Sequence, residues 1–376
     1  METTLKKKIG ITGSNGFLGR HTMWLLSTLS DQFLVVPIRL ADFKDEVILN
    51  NTIKDLDVLI HLARIHPKDA SSVPEIYTGN IDLAKKLINA LEITKSKAYV
   101  IYASSTQIRK DNEYGRAKKE VGEMLRLWAK KNNSKVTNLI IPNEFGEGGV
   151  PERSSVVSTF CQEILDGKKS KITEGSVVSL IHCQDISKAI LELLRNPKNE
   201  DMELFGVDMK VSDLHKVLSD FKEEYYSDVI PSLKDSLHLA LFNNLRWHIF
   251  DSEFYPRELV LKSDDRGGLF EMIKEKTGGQ VFMSYTKPGV TRGNHYHTRK
   301  IERFCVIKGE AEICLRQVGQ SKVHTFKVSG DKPVFIDMPT FYTHNIKNVG
   351  TDELLTVFWS NEIFDPKDPD TYYITV

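Results

Sequence analysis

Cysteine is scarce in this sequence. The 376 residues include four cysteines and no CxxC spacing, at positions Cys161, Cys183, Cys305 and Cys314. Four scattered thiols exclude a disulfide scaffold and favour a reducing compartment. Long apolar runs are also missing, since none approaches the roughly 18 residues that cross a bilayer. The early lysines lead into glycines instead of the apolar core of a secretory signal. We therefore expect a cytoplasmic protein without membrane insertion.

An excess of charge of either sign is absent as well. The chain has 51 Lys and Arg residues against 51 Asp and Glu residues, a formal net charge of zero. Binders of nucleic acid or anionic membranes usually carry a basic excess or stripe, so neither partner is expected. An anionic small molecule is still allowed, because it needs only a few local donors. A length of 376 residues predicts two domains, or three.

Apolar runs and helical patterns alternate in the first part of the chain. Continuous apolar runs are typical of strands buried on both faces of a parallel sheet. Their alternation with helices predicts an α/β, Rossmann-like, doubly wound parallel sheet. The apolar runs are Ile9–Thr12, Phe33–Ile38, Asp57–Ala63 and Ala98–Ala103, and the helical patterns are Arg20–Ser30, Glu113–Asn132, Ser154–Asp166 and Asp185–Arg195.

The pattern changes near residue 250. From Gly268 onward the chain consists of short β-type runs separated by Gly, Pro, Asn and Asp. Many short strands at regular spacing predict a small all-β sandwich or barrel. We therefore predict an α/β domain at residues 1–245, a linker at 246–262 and an all-β domain at 263–376.

A glycine-rich turn follows the first apolar run. Glycines there let the backbone approach a pyrophosphate, and the next helix presents N–H groups to it. The second run ends at Arg39 with no acid before Asp42, which suits the 2′-phosphate of NADP better than the 2′-hydroxyl of NAD. A solvated surface arginine is the alternative. We expect NADPH, bound by Arg39 and by the turn residues Gly13, Asn15, Gly16, Phe17, Leu18 and Gly19.

Tyr114 and Lys118 form a candidate acid–base pair. Their spacing of four places them on one helix face. The ordinary pKa of tyrosine is about 10, and a neighbouring ammonium lowers it towards neutrality, as a general acid or base needs. Ser105, at the end of the fourth apolar run, can hydrogen-bond the same carbonyl oxygen. We predict Tyr114, Lys118 and Ser105 as catalytic residues.

These features together resemble the extended short-chain dehydrogenase/reductase family, in its nucleotide-sugar branch. The matching segments are GSNGFLG (13–19), DVLIHLA (57–63), GN (79–80), SST (104–106), YGRAK (114–118) and PNEFG (142–146). The resemblance implies that Leu62–Ala63 line the adenosine side of the cofactor and that Pro142–Asn143 lie beside the nicotinamide. Ser105 and Tyr114 are only nine residues apart, whereas most members have a longer insertion. A short insertion opens the site or leaves part of it to be completed elsewhere.

A second group of candidate residues lies in the all-β part. The spacing His-x-His on a strand places both imidazoles on one face, since side chains alternate. A carboxylate and a later histidine complete a set of three histidines and one carboxylate, which suits Zn, Fe, Mn or Ni. We expect a divalent metal, with zinc as the first choice, bound by His295, His297, Glu302 and His344.

The metal pattern resembles the cupin superfamily of jelly-roll barrels. The first cupin motif, from Gly289 to Gly309, is matched in full, and the second has Phe341 where the family usually has glycine. The segment DDRGGLFE (264–271) also looks like the DxRGxFxE segment of cupin-type nucleotide-sugar 3,5-epimerases. This comparison implies that Arg266 faces an anionic part of the substrate. A surface turn is the alternative.

The order of the two domains resembles the CapF/WbjC family of capsule and O-antigen enzymes. That family implies C3 epimerisation by the cupin and NADPH-dependent C4 reduction by the reductase. The implied substrate is UDP-2-acetamido-2,6-dideoxy-β-L-arabino-hexos-4-ulose and the implied product UDP-2-acetamido-2,6-dideoxy-L-talose, on the route to UDP-N-acetyl-L-fucosamine. A homodimer is also implied. We expect a cupin side chain to act as the base, with Tyr285, Tyr342 and Glu302 as unranked candidates.

Three other interpretations are open. The first keeps the fold but changes the substrate to another 4-keto-6-deoxy nucleotide sugar, such as a dTDP-linked one. The second makes the cupin a structural or regulatory module beside a catalytic reductase. The third, a sensor of nucleotide sugars without catalysis, requires the Tyr, Lys and Ser set to be accidental.

Overall fold

The computed structural model describes residues 6–66, 70, 72–250, 253–259, 262–264, 267–269, 273, 279–362 and 364–376. The chain forms two compact units. The first comprises Met1–Phe145, Glu152–Ser155 and Gly175–Lys210, and the second comprises Gly146–Pro151, Val156–Glu174 and Val211–Val376. The domain bounds drawn from the sequence stay a prediction.

The helices of the described residues are α1 (Phe17–Ser27), α2 (Glu46–Ile53), α3 (Val73–Ile93), α4 (Glu113–Asn132), α5 (Val156–Leu165), α6 (Cys183–Arg195), α7 (Val211–Tyr226) and α8 (Ser236–Phe250). The strands are β1 (Lys7–Thr12), β2 (Phe33–Ile38), β3 (Val58–His61), β4 (Tyr99–Ser105), β5 (Val136–Ile141), β6 (Asn143–Phe145), β7 (Val177–His182), β8 (Asp201–Glu203), β9 (Val207–Lys210), β10 (Arg257–Glu258), β11 (Lys262–Asp264), β12 (Gly267–Leu269), β13 (Gln280–Thr286), β14 (Thr291–Tyr296), β15 (Glu302–Lys308), β16 (Glu310–Gln317), β17 (Val323–Ser329), β18 (Val334–Met338), β19 (Tyr342–Asn348), β20 (Leu354–Ser360) and β21 (Tyr372–Tyr373). No helix in these ranges is both long enough and apolar enough to cross a membrane.

The first unit is built on a six-stranded parallel sheet. Its strand order is β2-β1-β3-β4-β5-β8. The chain leaves β1 for β2 on one side and then returns to β3 on the other side, so the order reverses between β1 and β3. Ligands of such sheets bind at the carboxyl ends of the strands at this reversal. The predicted Rossmann-like sheet is confirmed.

Both faces of this sheet are covered by helices. One buried cluster joins the sheet to α3 and α4, through residues such as Leu87 and Leu125. The other joins it to α1 and α6, through residues such as Leu26 and Ile190. Strands buried on two faces need continuous apolar sequence, so the apolar runs predict the strands of this sheet.

The second unit contains two five-stranded antiparallel sheets. Their orders are β10-β18-β15-β20-β13 and β17-β16-β19-β14-β21, and β11 pairs with β12 in a separate hairpin. Side chains alternate along β16, where Ala311, Ile313 and Leu315 are buried. The predicted all-β C-terminal fold is confirmed.

Helices α7 and α8 belong to the same unit as these sheets. Arg303 and Asp337 are fully buried and their side chains lie 2.7 Å apart. The Tyr225 hydroxyl on α7 donates to this Asp337 carboxylate. Nη2 of Arg246 on α8 donates to the carbonyl oxygen of Met338 at 2.6 Å. A buried charge needs such partners, so the β-sheets and the two helices form one structural whole.

Candidate active site and metal centre

The glycine-rich turn lies at the reversal of strand order, between β1 and α1. Gly13 has a φ of 70°, and a Cβ there would lie 2.8 Å from the backbone nitrogen of Ala63. A Cβ on Gly19 would lie 2.1 Å from the carbonyl oxygen of Gly13. The turn therefore requires glycine at both positions. The N-terminus of α1 has no side-chain cap at Gly16, so its N–H groups suit a phosphate.

The other predicted turn residues have different surroundings. Asn15 is exposed. The ring of Phe17 lies 5.6 Å from that of His21, and Leu18 is buried in the core. Leu18 therefore anchors α1 to the sheet, whereas Asn15 is open to a ligand.

Thr12 and His61 organise the neighbouring strand end. Oγ1 of Thr12 accepts from the backbone N–H groups of Leu62 at 3.2 Å and Ala63 at 3.1 Å. The same oxygen lies 2.7 Å from Nδ1 of His61. Burial, followed by the charge of Lys118, lowers the pKa of His61 to about 3, so its imidazole is neutral. The sequence analysis assigned no role to His61, although it ends an apolar strand.

Arg39 follows the end of β2 and is exposed. Oδ2 of Asp42 accepts the backbone N–H of Arg39 at 2.7 Å. The nearest acid in the sequence is thus engaged in a turn, while the side chain of Arg39 is exposed.

The catalytic candidates stand at the end of β4 and the start of α4. Oδ1 of Asn112 caps α4 by accepting the N–H of Gly115 at 2.8 Å. A Cβ on Gly115 would lie 2.2 Å from the carbonyl oxygen of Gln107. Glycine therefore lets α4 approach the short connection after β4, and this close packing accommodates the nine-residue spacing between Ser105 and Tyr114.

Lys118 and Ser105 are held by backbone groups. Nζ of Lys118 is buried and donates to the carbonyl oxygen of Ala103 at 2.6 Å. It lies 5.7 Å from the ring centroid of Tyr114 and 4.8 Å from that of Tyr102. Oγ of Ser105 accepts the N–H of Gln107 at 3.2 Å, so its own proton is available for another acceptor.

Tyr114 is partly exposed and sits beside two cations. Burial alone would raise the pKa of Tyr114, but Lys118 and then Arg64 outweigh it and lower that pKa. Nη1 of Arg64 donates to the Tyr114 hydroxyl oxygen at 3.0 Å. Burial lowers the pKa of Lys118. Sequence patterns predict no role for Arg64, and its position directly after Ala63 is the one available signal.

Pro142 and Asn143 join β5 to β6, one strand further along. Nδ2 of Asn143 donates to the carbonyl oxygen of Ser179 at 3.2 Å. The predicted nicotinamide-side residues thus lie after β5, next to the strand that carries Ser105.

The four predicted metal ligands come together in the second unit. His295 lies on β14, His297 directly after that strand, Glu302 at the start of β15 and His344 on β19. One nitrogen or oxygen from each lies within 4.8 Å of the others. His297, Glu302 and His344 are buried.

The hydrogen bonds of this group favour a cation at its centre. Nδ1 of His297 donates to the carbonyl oxygen of Asp370 at 2.6 Å, and Nδ1 of His344 lies 3.3 Å from that of Tyr342. Both Nε2 atoms therefore face the carboxylate of Glu302, at 3.0 Å and 3.4 Å from its Oε2, and are the nitrogens available to a metal. Lone pairs and a carboxylate that converge in a buried space are the donor set of a divalent metal.

The pKa shifts within the group differ from residue to residue. Burial, followed by the charges of His344 and His297, lowers the pKa of His295 to about 4. Burial would also lower the pKa of His297, but Glu302 outweighs it and raises that pKa. Burial would raise the pKa of Glu302, but His297 and His344 hold it well below its usual range. Neutral imidazole and ionised carboxylate are the forms that bind metals.

The predicted substrate residues lie in different surroundings. Arg266 lies outside the described residues. Tyr285 is 57% exposed on β13. Tyr342 is buried, with its ring 4.5 Å from that of Phe250 and 5.4 Å from that of Trp247. The structure thus places Tyr342 against α8, and of the three candidate bases only Glu302 belongs to the metal group.

Residues 9–206 match the NAD dependent epimerase/dehydratase family. The chain belongs to this family. Residues 262–372 match a second family, the polysaccharide biosynthesis C-terminal domain. The two matches fall on the parallel sheet and on the antiparallel sheets respectively.

Two relatives match almost the whole chain, and a third matches part of it. The chain is 29% identical over 376 residues to the UDP-2-acetamido-2,6-beta-L-arabino-hexul-4-ose reductase of Pseudomonas aeruginosa, covering 98% of this chain and 99% of that protein. It is 28% identical to the capsular polysaccharide assembling protein CapF of Staphylococcus aureus, with a TM-score of 0.62 over 98% of this chain and 100% of that one. Spore coat polysaccharide biosynthesis protein SpsL of Bacillus subtilis is 25% identical over 30% of this chain and 82% of its own length. The predicted resemblance to the CapF/WbjC family is confirmed.

Proposed function

We propose that this chain is a bifunctional enzyme of a 4-keto nucleotide sugar. The reductase reduces C4 with NADPH and the cupin epimerises C3, converting UDP-2-acetamido-2,6-dideoxy-β-L-arabino-hexos-4-ulose to UDP-2-acetamido-2,6-dideoxy-L-talose. The observation that carries the proposal is the Tyr114–Lys118 pair beside a dinucleotide turn, on the same chain as a group of three histidines and one glutamate. The relative from Pseudomonas aeruginosa, matched over 98% of this chain, supports the substrate class.

NADPH would be held at the carboxyl ends of the parallel strands. The Gly13–Gly19 turn and the N-terminus of α1 suit its pyrophosphate, and Arg39 suits its 2′-phosphate. Leu62–Ala63 would line the adenosine side and Pro142–Asn143 the nicotinamide side. When bound, NADPH supplies the hydride for C4.

Tyr114 would donate the proton that the C4 oxygen needs. Its lowered pKa brings the phenol closer to neutrality, where a general acid works best. Lys118 stabilises the phenolate left behind, and Ser105 uses its available proton to polarise the ketone. Backbone hydrogen bonds hold Lys118 and Ser105, and the Arg64 guanidinium contacts the Tyr114 hydroxyl.

The cupin would act before reduction. The C4 ketone makes the C3 proton removable, because the resulting enolate is delocalised. A divalent metal, zinc as the first choice, would polarise the ketone oxygen when bound by His295, His297, Glu302 and His344. Of the three candidate bases, Glu302 is itself a member of the metal group, and Tyr285 and Tyr342 remain candidates beside it. Reduction then removes the ketone and fixes the new configuration.

Two matched measurements test these roles separately. Tyr114→Phe should abolish NADPH oxidation with the 4-keto UDP-sugar, because phenylalanine has no proton to donate. The same full-length variant without NADPH should still exchange the C3 proton for deuterium in heavy water, and His344→Ala should not. Normal NADPH oxidation by Tyr114→Phe would refute the reductase assignment. Undiminished exchange by His344→Ala, or none by Tyr114→Phe, would refute the cupin assignment and favour a structural cupin.

The nearest alternative changes the sugar and not the chemistry. A panel of 4-keto UDP- and dTDP-sugars, compared by kcat/KM for NADPH oxidation, separates the candidates.

We also propose a cytoplasmic homodimer. Strand β13 is the outermost strand of its sheet and exposes Val281, Met283 and Tyr285, an edge suited to a second chain. Light scattering of the purified protein tests this.

A further inference from the structure

Arg64 lies beside the hydroxyl group of Tyr114. Its Nη1 donates to the Tyr114 oxygen at 3.0 Å, and its Nη2 lies 3.5 Å from Oε1 of Glu144. Arg64 follows β3, Tyr114 follows β4, and Glu144 lies on β6, which follows β5. Strands β3, β4 and β5 are neighbours in the sheet. The ion pair between Arg64 and Glu144 therefore spans the end of β4, the strand that precedes Tyr114.

We propose that Arg64 is a positioning residue for Tyr114, one that directs its proton towards the substrate and stabilises the phenolate after transfer. This inference rests on the proposed reductase function. A phenol oxygen has one proton and two acceptor lone pairs. The N–H of Arg64 fills one lone pair, so the phenol proton must point away from the guanidinium and is free for a ketone oxygen.

The same contact strengthens when the proton leaves. A hydrogen bond from a guanidinium to a phenolate is charge-assisted, and it is stronger than the bond to the neutral phenol. An interaction that strengthens along the reaction lowers its barrier, whereas one that is equal at both ends does not. Arg64 is thereby suited to assist proton donation.

Other charged or titratable groups face Tyr114 from the surrounding elements. Lys118 approaches from α4 and Tyr102 from β4. Glu144 approaches from β6 and opposes the two cations, since its carboxylate raises the pKa of Tyr114. Glu144 also holds the Arg64 side chain in place. Arg64 and Glu144 therefore act on the pKa of Tyr114 in opposite directions, since Arg64 lowers it and Glu144 raises it.

The experiment measures the pKa of Tyr114 with and without Arg64. Tyrosinate absorbance of each protein, minus that of its Tyr114→Phe counterpart, reports this pKa without any catalysis. Arg64→Met should raise it by about one to two pH units, the size expected for a hydrogen bond to a charged group. Arg64→Lys should recover part of the shift, and Glu144→Gln should lower the pKa below that of the wild type.

Reduction needs protonated Tyr114, so kcat for ketone reduction should fall as the pH rises through the pKa of Tyr114. The pH of this fall should therefore shift in each variant in the same direction as the pKa. At neutral pH kcat of Arg64→Met should fall about tenfold or more. Arg126→Met, which breaks an exposed ion pair with Asp201 in the same unit, is the matched control and should change neither measurement.

The outcomes separate this inference from the proposed function. An unchanged Tyr114 pKa in Arg64→Met, or the same shift in Arg126→Met, overturns the positioning role. A raised pKa in the absorbance titration supports it. Failure of the wild type to oxidise NADPH with every 4-keto sugar overturns the reductase function, and with it the catalytic meaning of Arg64.

Discussion

Nδ1 of His297 lies 2.6 Å from the backbone carbonyl oxygen of Asp370. The Asp370 carboxylate is buried as well and accepts the backbone N–H groups of Thr298, Arg299 and Lys300. Asp370 thus fixes both the orientation of a proposed metal ligand and the turn that follows it. Partners of this kind hold the imidazole in the tautomer that binds metal.

Asp370→Gly should therefore weaken zinc binding. Asp370 has a φ of 41°, which glycine adopts without strain, so the substitution removes mainly the carboxylate. We expect about 10- to 100-fold lower affinity, measured by competition with a chromogenic chelator. Asp365→Gly is the control, because that exposed carboxylate caps only the N–H of Lys367 at 2.8 Å. Equal affinities for the two variants would contradict the role of Asp370.

Gly13→Ala should abolish NADPH binding. The added Cβ would lie 2.8 Å from the Ala63 nitrogen and must displace the strand end at the proposed cofactor site. Gly167 has a similar φ of 67°, but a Cβ there meets nothing within 4 Å. Gly167→Ala should cost only the left-handed backbone strain of about 1–2 kcal/mol and leave NADPH binding intact. Fluorescence titration with NADPH distinguishes them, and tight binding by Gly13→Ala would count against this cofactor site.

Arg39→Ala should reduce the preference for NADPH over NADH. Loss of a hydrogen bond between two charged groups corresponds to about 10- to 100-fold weaker NADPH binding, with NADH nearly unaffected. Lys54→Ala, which removes a positive charge at the far end of α2, should leave both affinities unchanged. If both cofactors weakened equally in Arg39→Ala, the 2′-phosphate assignment would fail.

His61 should make the folded chain sensitive to acid. Its pKa is lowered to about 3 by burial, whereas an unfolded chain has the ordinary value of about 6.5. The unfolded state therefore binds the proton more tightly, and stability is lost as the pH falls from about 6.5 towards 3. By about pH 4.5, two units below the pKa in the unfolded chain, the loss amounts to about 3 kcal/mol.

His61→Asn keeps a polar atom for Thr12 but does not titrate. Urea unfolding at neutral pH and at about pH 4.5 should show a smaller decrease for this variant than for the wild type. Identical decreases would mean that His61 is not the group that binds the proton.

Much of the fold follows from the sequence because its causes are local. The continuous apolar runs predict strands buried on two faces, and the short β-type runs after Gly268 predict the antiparallel sheets. Spacing also predicts the four residues of the metal group, which the structure brings together, since His-x-His on a strand and its loop is a local pattern. The glycine turn was found for the same reason.

The missed residues depend on contacts between distant parts of the chain. Arg64 meets Tyr114 only because β3 and β4 are neighbours, and Asp370 meets His297 only because β21 pairs with β14. Tyr342 was a substrate candidate from its place near His344, but its ring is covered by α8. Neighbouring strands and covering helices are set by the whole fold, so spacing alone does not reveal them.

The most direct test is one reaction in heavy water. The wild-type protein, zinc, NADPH and UDP-2-acetamido-2,6-dideoxy-β-L-arabino-hexos-4-ulose are combined, and the product is examined by NMR. We expect UDP-2-acetamido-2,6-dideoxy-L-talose with deuterium at C3 from the solvent and ordinary hydrogen at C4 from NADPH. A reduced product that keeps its C3 hydrogen, or no oxidation of NADPH at all, would contradict the proposal of two reactions on one chain.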